Sequence, residues 1–352
     1  MRTLPFSPLA AAVISMMLLA ALAPAADPQP PGKLVDLGGH RLHVYCTGQG
    51  SPTVAVEAGI GDFSFDWILV QERVSKFTRI CTYDRSGYGF SDPGPKPRTY
   101  AQINLELHDA LRKLGEKPPL VLVGHSFGGA VVRHYTAMYP QEVSGMVLVD
   151  TVSEEQRIPM GDRARRVRDS ATGKVIPPPH ELMQGADRPP LELSSPSQGS
   201  AKIEAPFDRL PPNEQQMQLW ASTQPALFDA GRSELEWSPE DMLIMHNAPQ
   251  AGILGDRPLA VLTRAEGGYD NHLDVPAAEL DQERRATQAQ LVKLSSRGEQ
   301  IIVSSGHNME LEAPDHVASA IQWVVEQVRS EKKSKPFDPV ASARPSHALR
   351  GR

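Results

Sequence analysis

The stretch "LVLVGHSFGGAVVRHYTAMYP", residues 120–140, decides how the chain is read. A Leu/Val run without polar alternation suits a strand covered on both faces. It stops at Gly124, one serine stands between Gly124 and Gly128, and apolar residues then recur at helical spacing. G-x-S-x-G alone is a weak pattern, because glycine and serine are common. Placed directly after a strand and directly before a helix, it describes a nucleophile elbow. There a sharp turn lifts the serine hydroxyl above the sheet edge, and glycines are needed because side chains would collide with the neighbouring backbone. The helix N-terminus behind Ser126 favours developing negative charge. An ordinary turn serine is the competing reading, and the context favours a nucleophile.

Outward from this turn the chain alternates strands and helices. Strand-like runs occur at Leu34–Leu37, Leu42–Cys46, Thr53–Glu57, Arg79–Tyr83, Leu120–Val123, Met146–Val149, Leu259–Thr263 and Gln300–Val303. The first two, joined at Gly38-Gly39, read as a hairpin. Helical patterns lie between later runs, such as Tyr100–Leu114 before Gly115, and a final one spans Pro314–Val328. This alternation predicts an α/β fold with a mainly parallel sheet. From Thr151 to about Asp256 no clear strand is visible, and proline clusters interrupt helix-like pieces at 213–229 and 239–246. Ser238-Pro239-Glu240-Asp241 reads as a helix start, with proline in the first turn. The segment 151–255 is therefore expected to be an inserted cap, since its apolar content is low for an independent core. Met217, Leu219, Trp220, Leu227 and Phe228 within it suggest a moderately apolar substrate. The core is expected at 33–150 and 256–330, with a disordered tail at 331–352.

A net charge of −6 gives no basic surface for nucleic acid, and the short run "RARRVR" at 163–168 reads as a solvated face. Residues 1–25 show Arg2, an apolar stretch from Leu9 to Leu22 and Ala23-Pro24-Ala25, the pattern of a secretory signal. The stretch is short of the ~20 residues of a membrane span, so no stable anchor is expected. The chain is read as exported, periplasmic or secreted. Cys46 and Cys81 are the two cysteines, and export would permit them to oxidise. No Cys-x-x-Cys or paired histidine cluster suggests a metal.

A serine nucleophile needs a base. Among 11 histidines, His125 adjoins Ser126 too closely in sequence to reach round to it, and His272 sits in a polar loop. His307, in "IIVSSGHNMELEAP", follows the last strand and precedes the last helix. That loop belongs to the same sheet edge as the elbow, so His307 is the expected general base, titrating at about 6.5–7. Ala58-Gly59-Ile60-Gly61 ends another strand. Its backbone N–H at Ile60, with that of Phe127, is expected to hold an oxyanion.

These stretches resemble the α/β-hydrolase fold serine hydrolases. The resemblance covers roughly 33–150 and 256–330 and rests on "EAGIGDFSFDW", "YDRSGYGFSDPGP", "LVGHSFGG", "GMVLVD" and "SGHNMELEAPD", in family order. It implies the α/β-hydrolase fold, a mostly parallel eight-stranded sheet with helices on both faces and an inserted lid. It also implies a Ser126–His307–Asp catalytic triad with no metal or organic cofactor. Relatives that use an aspartate nucleophile, the dehalogenases and epoxide hydrolases, are disfavoured by Ser126. In this fold the second and fourth strands are neighbours, which implies a Cys46–Cys81 disulfide. Where relatives commonly carry His-Gly at the oxyanion loop, this chain has Ala58-Gly59. The acid is open. Most relatives place it after the strand following the cap, where Glu266 and Asp270 are the nearest carboxylates, but Gly267 stands at the usual position. A minority place it where Asp150 ends "GMVLVD", and Asp150 is the first choice, with Asp270 the alternative. The expected function is cleavage of a small-molecule carboxylic ester through an acyl-enzyme. Amide or peptide hydrolysis, and a non-catalytic binding protein of the same fold, are the alternatives.

Overall fold

The computed structural model describes residues 27–160, 163–166, 202–248, 250–265, 267 and 274–334. Chain order begins with β1 (Lys33–Asp36), β2 (Arg41–Thr47), β3 (Val54–Glu57), α1 (Ile68–Val74) and β4 (Ile80–Tyr83). It continues with α2 (Tyr100–Leu114), β5 (Leu120–His125), α3 (Phe127–Met138) and β6 (Val143–Val149). An inserted segment then carries β7 (Arg157–Met160), β8 (Arg163–Arg166), α4 (Pro212–Ala221) and α5 (Pro225–Asn247). The remainder is β9 (Leu259–Arg264), α6 (Ala277–Leu291), β10 (Gly298–Val303), α7 (Met309–Glu312) and α8 (Pro314–Ser334).

Eight strands form one sheet in the order β1-β2-β4-β3-β5-β6-β9-β10. β2 runs antiparallel to both β1 and β4, and every other pairing is parallel. Alternate side chains of the central strands face opposite layers, as the pleat requires. Val121, Val123, Val147 and Val149 pack with Val70 and Val74 of α1 and Val317, Ile321 and Val324 of α8. Leu120, Leu122, Met146 and Leu148 pack with Leu107 and Leu111 of α2 and Val132 and Tyr135 of α3. Both faces are covered, which is why these strands read as unbroken apolar runs.

The inserted segment departs from its sequence reading in three ways. Arg157–Met160 and Arg163–Arg166 form an antiparallel pair, with Arg157 opposite Arg166 and Met160 opposite Arg163. The basic run concealed it, although Gly161-Asp162 is a two-residue hairpin signal. α5 is continuous through Pro239, so Ser238 does not start a helix. The lost N–H and ring clash of an internal proline cost ~3 kcal/mol, and tertiary bonds on both sides of it hold the helix together. Asp241 accepts from the Tyr100 N–H at 2.9 Å, and Ser238 Oγ lies 3.3 Å from the Tyr100 hydroxyl. Met217, Trp220 and Leu227 pack with Phe63, Phe65, Tyr88 and Phe90, so these three apolar groups dock the segment on the core. At the far end, α8 runs to Ser334, four residues into the expected tail. Residues 335–352 and 1–26 lie outside the described residues.

Cys46 and Cys81 are direct partners across β2 and β4 and form a disulfide with Cα atoms 4.0 Å apart. It closes a separation of 35 residues, which by loop-closure entropy stabilises the fold by ~3–4 kcal/mol. Reduction, or the Cys46→Ser/Cys81→Ser double variant, should lower unfolding free energy by that order in urea titrations. Coincident oxidised and reduced curves would show that the bridge contributes nothing.

Candidate active site

Four loops at the carboxyl ends of parallel strands meet beside β5: those after β3, β5, β6 and β10. Ser126 sits between β5 and α3 with φ 51° and ψ −120°, a left-handed backbone that costs a side-chain-bearing residue ~1–3 kcal/mol. The surroundings impose it. The Ser126 N–H donates to the Val149 carbonyl at 3.1 Å, and its own carbonyl accepts from Gly129 N–H, Val152 N–H and Thr151 Oγ at 3.0–3.1 Å. A Cβ on Gly124 would stand 2.6 Å from the Gly128 carbonyl oxygen, and one on Gly128 would meet the Glu57 and Ala58 carbonyls. Both glycines are therefore demanded by close backbone approach.

Above the elbow, His307 Nε2 lies 3.0 Å from Ser126 Oγ, and His307 Nδ1 lies 2.6 Å from Asp150 Oδ2. Asp150 follows β6, itself at φ 37°. The structure thus brings Ser126, His307 and Asp150 together; Glu266, Asp270 and His272 lie outside the described residues. The Gly267 backbone carbonyl accepts from Arg264 Nε at 2.6 Å.

The loop after β3 is held from two sides. Gly59 N–H donates to Asp62 Oδ2 at 3.0 Å, and Arg85 Nη2 donates to the Gly59 carbonyl at 2.7 Å. Among the described residues the N–H groups of Ile60 and Phe127 have no hydrogen-bond acceptor. Ile60 and Phe127 pack in one cluster with Tyr100 and Val131.

Residues 57–175 match the family profile of the alpha/beta hydrolase fold. Among solved structures, a thermophilic esterase from Thermogutta terrifontis overlays with TM-score 0.54 at 20% identity, covering 84% of this chain and 97% of that one. The epoxide hydrolase CorEH overlays with TM-score 0.57 at 17% identity, covering 84% and 99%. The chain has the α/β-hydrolase fold. A curated relative, the Hormonema carpetanum protein named "Probable transporter efuK", is 27% identical over 85% of this chain and 43% of its own length. The chain spans less than half the length of the curated relatives it matches. An esterase and an epoxide hydrolase share the fold, so the chemistry has to be read from the side chains.

Several of those side chains were invisible to the sequence reading. Asp150 accepts from Arg284 Nη1 at 2.8 Å, Gln288 Nε2 at 3.2 Å and the Arg264 guanidinium. Burial opposes its charge, yet the hydrogen bond from His307 and the arginine charges hold its carboxyl well below the usual carboxylate range. Arg264 Nη1 also lies 2.9 Å from His307 Nδ1. Asp150 is the acceptor at that nitrogen, so the ring carries its proton on Nδ1 and leaves Nε2 to accept from Ser126. Burial, then the nearby charges of His125 and Arg264, push His307 below 6.5 against the pull of Asp150. This is lower than the value of about 6.5–7 expected for an unperturbed ring.

His125 has a part that adjacency to Ser126 concealed. Its Nδ1 lies 3.0 Å from Asp62 and its Nε2 lies 3.0 Å from the His307 carbonyl. Burial disfavours the charged ring, but Glu310 and Asp62 push it up to about 10. As an imidazolium it donates to both, tying the loop after β3 to the loop after β10. Asp62, His125 and Glu310 have ligand atoms close enough to hold a metal ion. Both ring nitrogens of His125 are engaged within the protein, however, so an ion would have to displace one of those bonds.

With His307 lowered, kcat/KM should rise with pH through a midpoint below 6.5 as the ring loses its proton. Arg264→Met removes a charge that disfavours the imidazolium, so the midpoint should move to higher pH; an unchanged midpoint would exclude that role. Asp150→Asn should lower turnover by ~10⁴. It should also destabilise, by up to about 3–5 kcal/mol, because two buried guanidinium groups lose a shared counter-charge and Arg284 keeps only Asp281. Paired kinetics and urea melts read both effects, and near-wild-type turnover would move the acid elsewhere.

Proposed function

We propose that this α/β-hydrolase is a serine hydrolase that cleaves a carboxylic ester, with Ser126 as nucleophile, His307 as base and Asp150 as acid. The observation that carries the reading is the hydrogen-bonded series from Ser126 Oγ through both nitrogens of His307 to Asp150, at 3.0 and 2.6 Å. Ser126 Oγ attacks the carbonyl carbon while its proton passes to His307 Nε2. Asp150 keeps the Nδ1 proton in place and stabilises the imidazolium. The N–H groups of Ile60 and Phe127 receive the charge on the carbonyl oxygen, a contribution of ~2.7–4 kcal/mol for each donor. Collapse breaks the ester C–O bond, and the imidazolium protonates the departing alcohol. Water then attacks the acyl-enzyme, losing its proton to His307, and Ser126 is released with that proton. Epoxide opening in this fold is disfavoured by the serine.

In this reading residues 151–255 form a cap. Its support is the docking of α4 and α5 on the loops that follow β3 and β4. An oxidising, exported setting is proposed from the Cys46–Cys81 disulfide and the signal-like pattern of residues 1–25. Among the described residues no helix is long and apolar enough to cross a membrane.

Ser126→Ala and His307→Ala should each lower turnover by about 10⁴–10⁶-fold, and a fluorophosphonate should label wild-type protein but not Ser126→Ala. Retention of more than about a tenth of the activity in either folded variant, on this triad logic, would remove that residue from the mechanism. A panel of short and long acyl esters, lactones and aminoacyl amides separates ester from amide preference. Faster turnover of amides would replace the ester reading with a peptidase-like one.

A further inference from the structure

Arg85, in the loop after β4, is 2% exposed and no part of the series described above. Its donors go to four places. Nε donates to Glu234 at 2.9 Å, Nη1 to Glu57 and to the Ala58 carbonyl at 2.8 Å each, and Nη2 to the Gly59 carbonyl at 2.7 Å. The second oxygens of the two carboxylates are also engaged, Glu57 by the Tyr83 hydroxyl and Glu234 by the Tyr88 hydroxyl. The guanidinium carbon lies 5.2 Å from the centre of the Phe127 ring.

The Gly59 carbonyl and the Ile60 N–H belong to one peptide unit. In a planar trans peptide the two bonds point in opposite directions. A guanidinium that captures the Gly59 oxygen therefore aims the Ile60 N–H away from itself, and the Ala58 carbonyl, held by the same group, removes the remaining freedom of the loop. Glu234 lies on α5, in the inserted segment, whereas Glu57, Ala58 and Gly59 belong to the sheet and its loop. A planar fork that must satisfy both sides at once is set by both.

We propose that Arg85 is a positioning residue that aims the oxyanion donor at Ile60, and that Glu234 of the inserted helix holds Arg85 in that pose. This rests on the reading of Ile60 and Phe127 as the oxyanion donors. Docking of the inserted segment and stabilisation of the transition state are then linked through one guanidinium. Lysine at position 85 keeps the charge but lacks the fork, and glutamine at 234 keeps the shape but weakens the clamp.

The test uses the rate at which Ser126 is phosphorylated by diethyl 4-nitrophenyl phosphate and by its phosphorothionate. In each, a bond forms from Ser126 Oγ to phosphorus, 4-nitrophenolate leaves, and the serine proton passes to His307. The P=O oxygen accepts from the oxyanion donors, whereas the larger sulfur accepts poorly, so the oxo/thiono rate ratio, compared with that for hydroxide in solution, reports donor geometry. The wild type should exceed the solution ratio. Arg85→Lys should slow the oxo reagent by about 10²–10³-fold, the scale of losing one donor, and bring the ratio down at least about tenfold. Glu234→Gln should move the ratio the same way by less, and the double variant should be no worse than Arg85→Lys alone. If both reagents slow together in the variants, Arg85 is only a structural ion pair and the proposal fails. A ratio lowered by Arg85→Lys but untouched by Glu234→Gln would sever the inserted helix from it. Should Arg85→Lys not fold, Glu234→Gln decides alone. A wild-type ratio equal to that in solution overturns the oxyanion reading itself, and absence of labelling at Ser126 overturns the hydrolase mechanism; the proposal falls with either.

Discussion

Ser126 can present its hydroxyl only because its backbone is forced into a conformation that serine avoids. The left-handed turn at φ 51° is unstable on its own, and the structure around it is a set of constraints that leave no alternative. Three donors converge on the Ser126 carbonyl, one from α3 and two from the loop after β6. The glycines on either side allow β3, β5 and α3 to approach at backbone distance. Strain of ~1–3 kcal/mol is small beside the packed sheet and helices beneath it. A rigid parallel sheet therefore precedes the site in the causal order, because it is what holds the strained turn closed.

Charge is the second constraint, since the strand edge concentrates buried ionic groups. Three of them face opposite charges, the condition under which burial is tolerated. Asp150 stands between Arg264, Arg284 and His307; His125 stands between Asp62 and Glu310; Arg85 stands between Glu57 and Glu234. The effect on His307 is directional. Its imidazolium is disfavoured by burial and two neighbouring cations and favoured by one carboxylate, so the ring is neutral and ready to accept a proton near neutral pH. A base held by Asp150 alone would bind its proton more tightly.

Most of the sheet was legible because its physical signal is local. Strands covered on both faces must be apolar throughout, and each of the eight sheet strands coincides with a run visible in the sequence, with ends shifted by a few residues. The elbow was legible because a glycine-flanked serine between a strand and a helix suits few purposes besides presenting a hydroxyl. His307 was legible because a loop beyond the last parallel strand has only one edge to occupy. Elements failed where tertiary contacts overrode local preference. Pro239 reads as a helix start, yet Tyr100 holds α5 through it, and the β7–β8 pair lay hidden in a run of arginines whose charge dominated its reading.

Contiguous residues encode the sheet, the segment between β6 and β9, and Ser126 and His307 as candidates, because in each the spacing carries the meaning. The sequence left the acid open between Asp150 and Asp270; the structure sets Asp150 against His307, and Asp270 lies outside the described residues. It did not reveal Arg85, His125, Asp62, Arg264 or Arg284. Each of these works through a partner far away in the chain: Arg85 meets Glu234 149 residues later, and His125 meets the His307 carbonyl 182 residues later. A single charged residue in a sequence carries no mark of its partner, because ion pairing depends on distance and burial. Only the folded sheet, by bringing four loops to one edge, sets those distances.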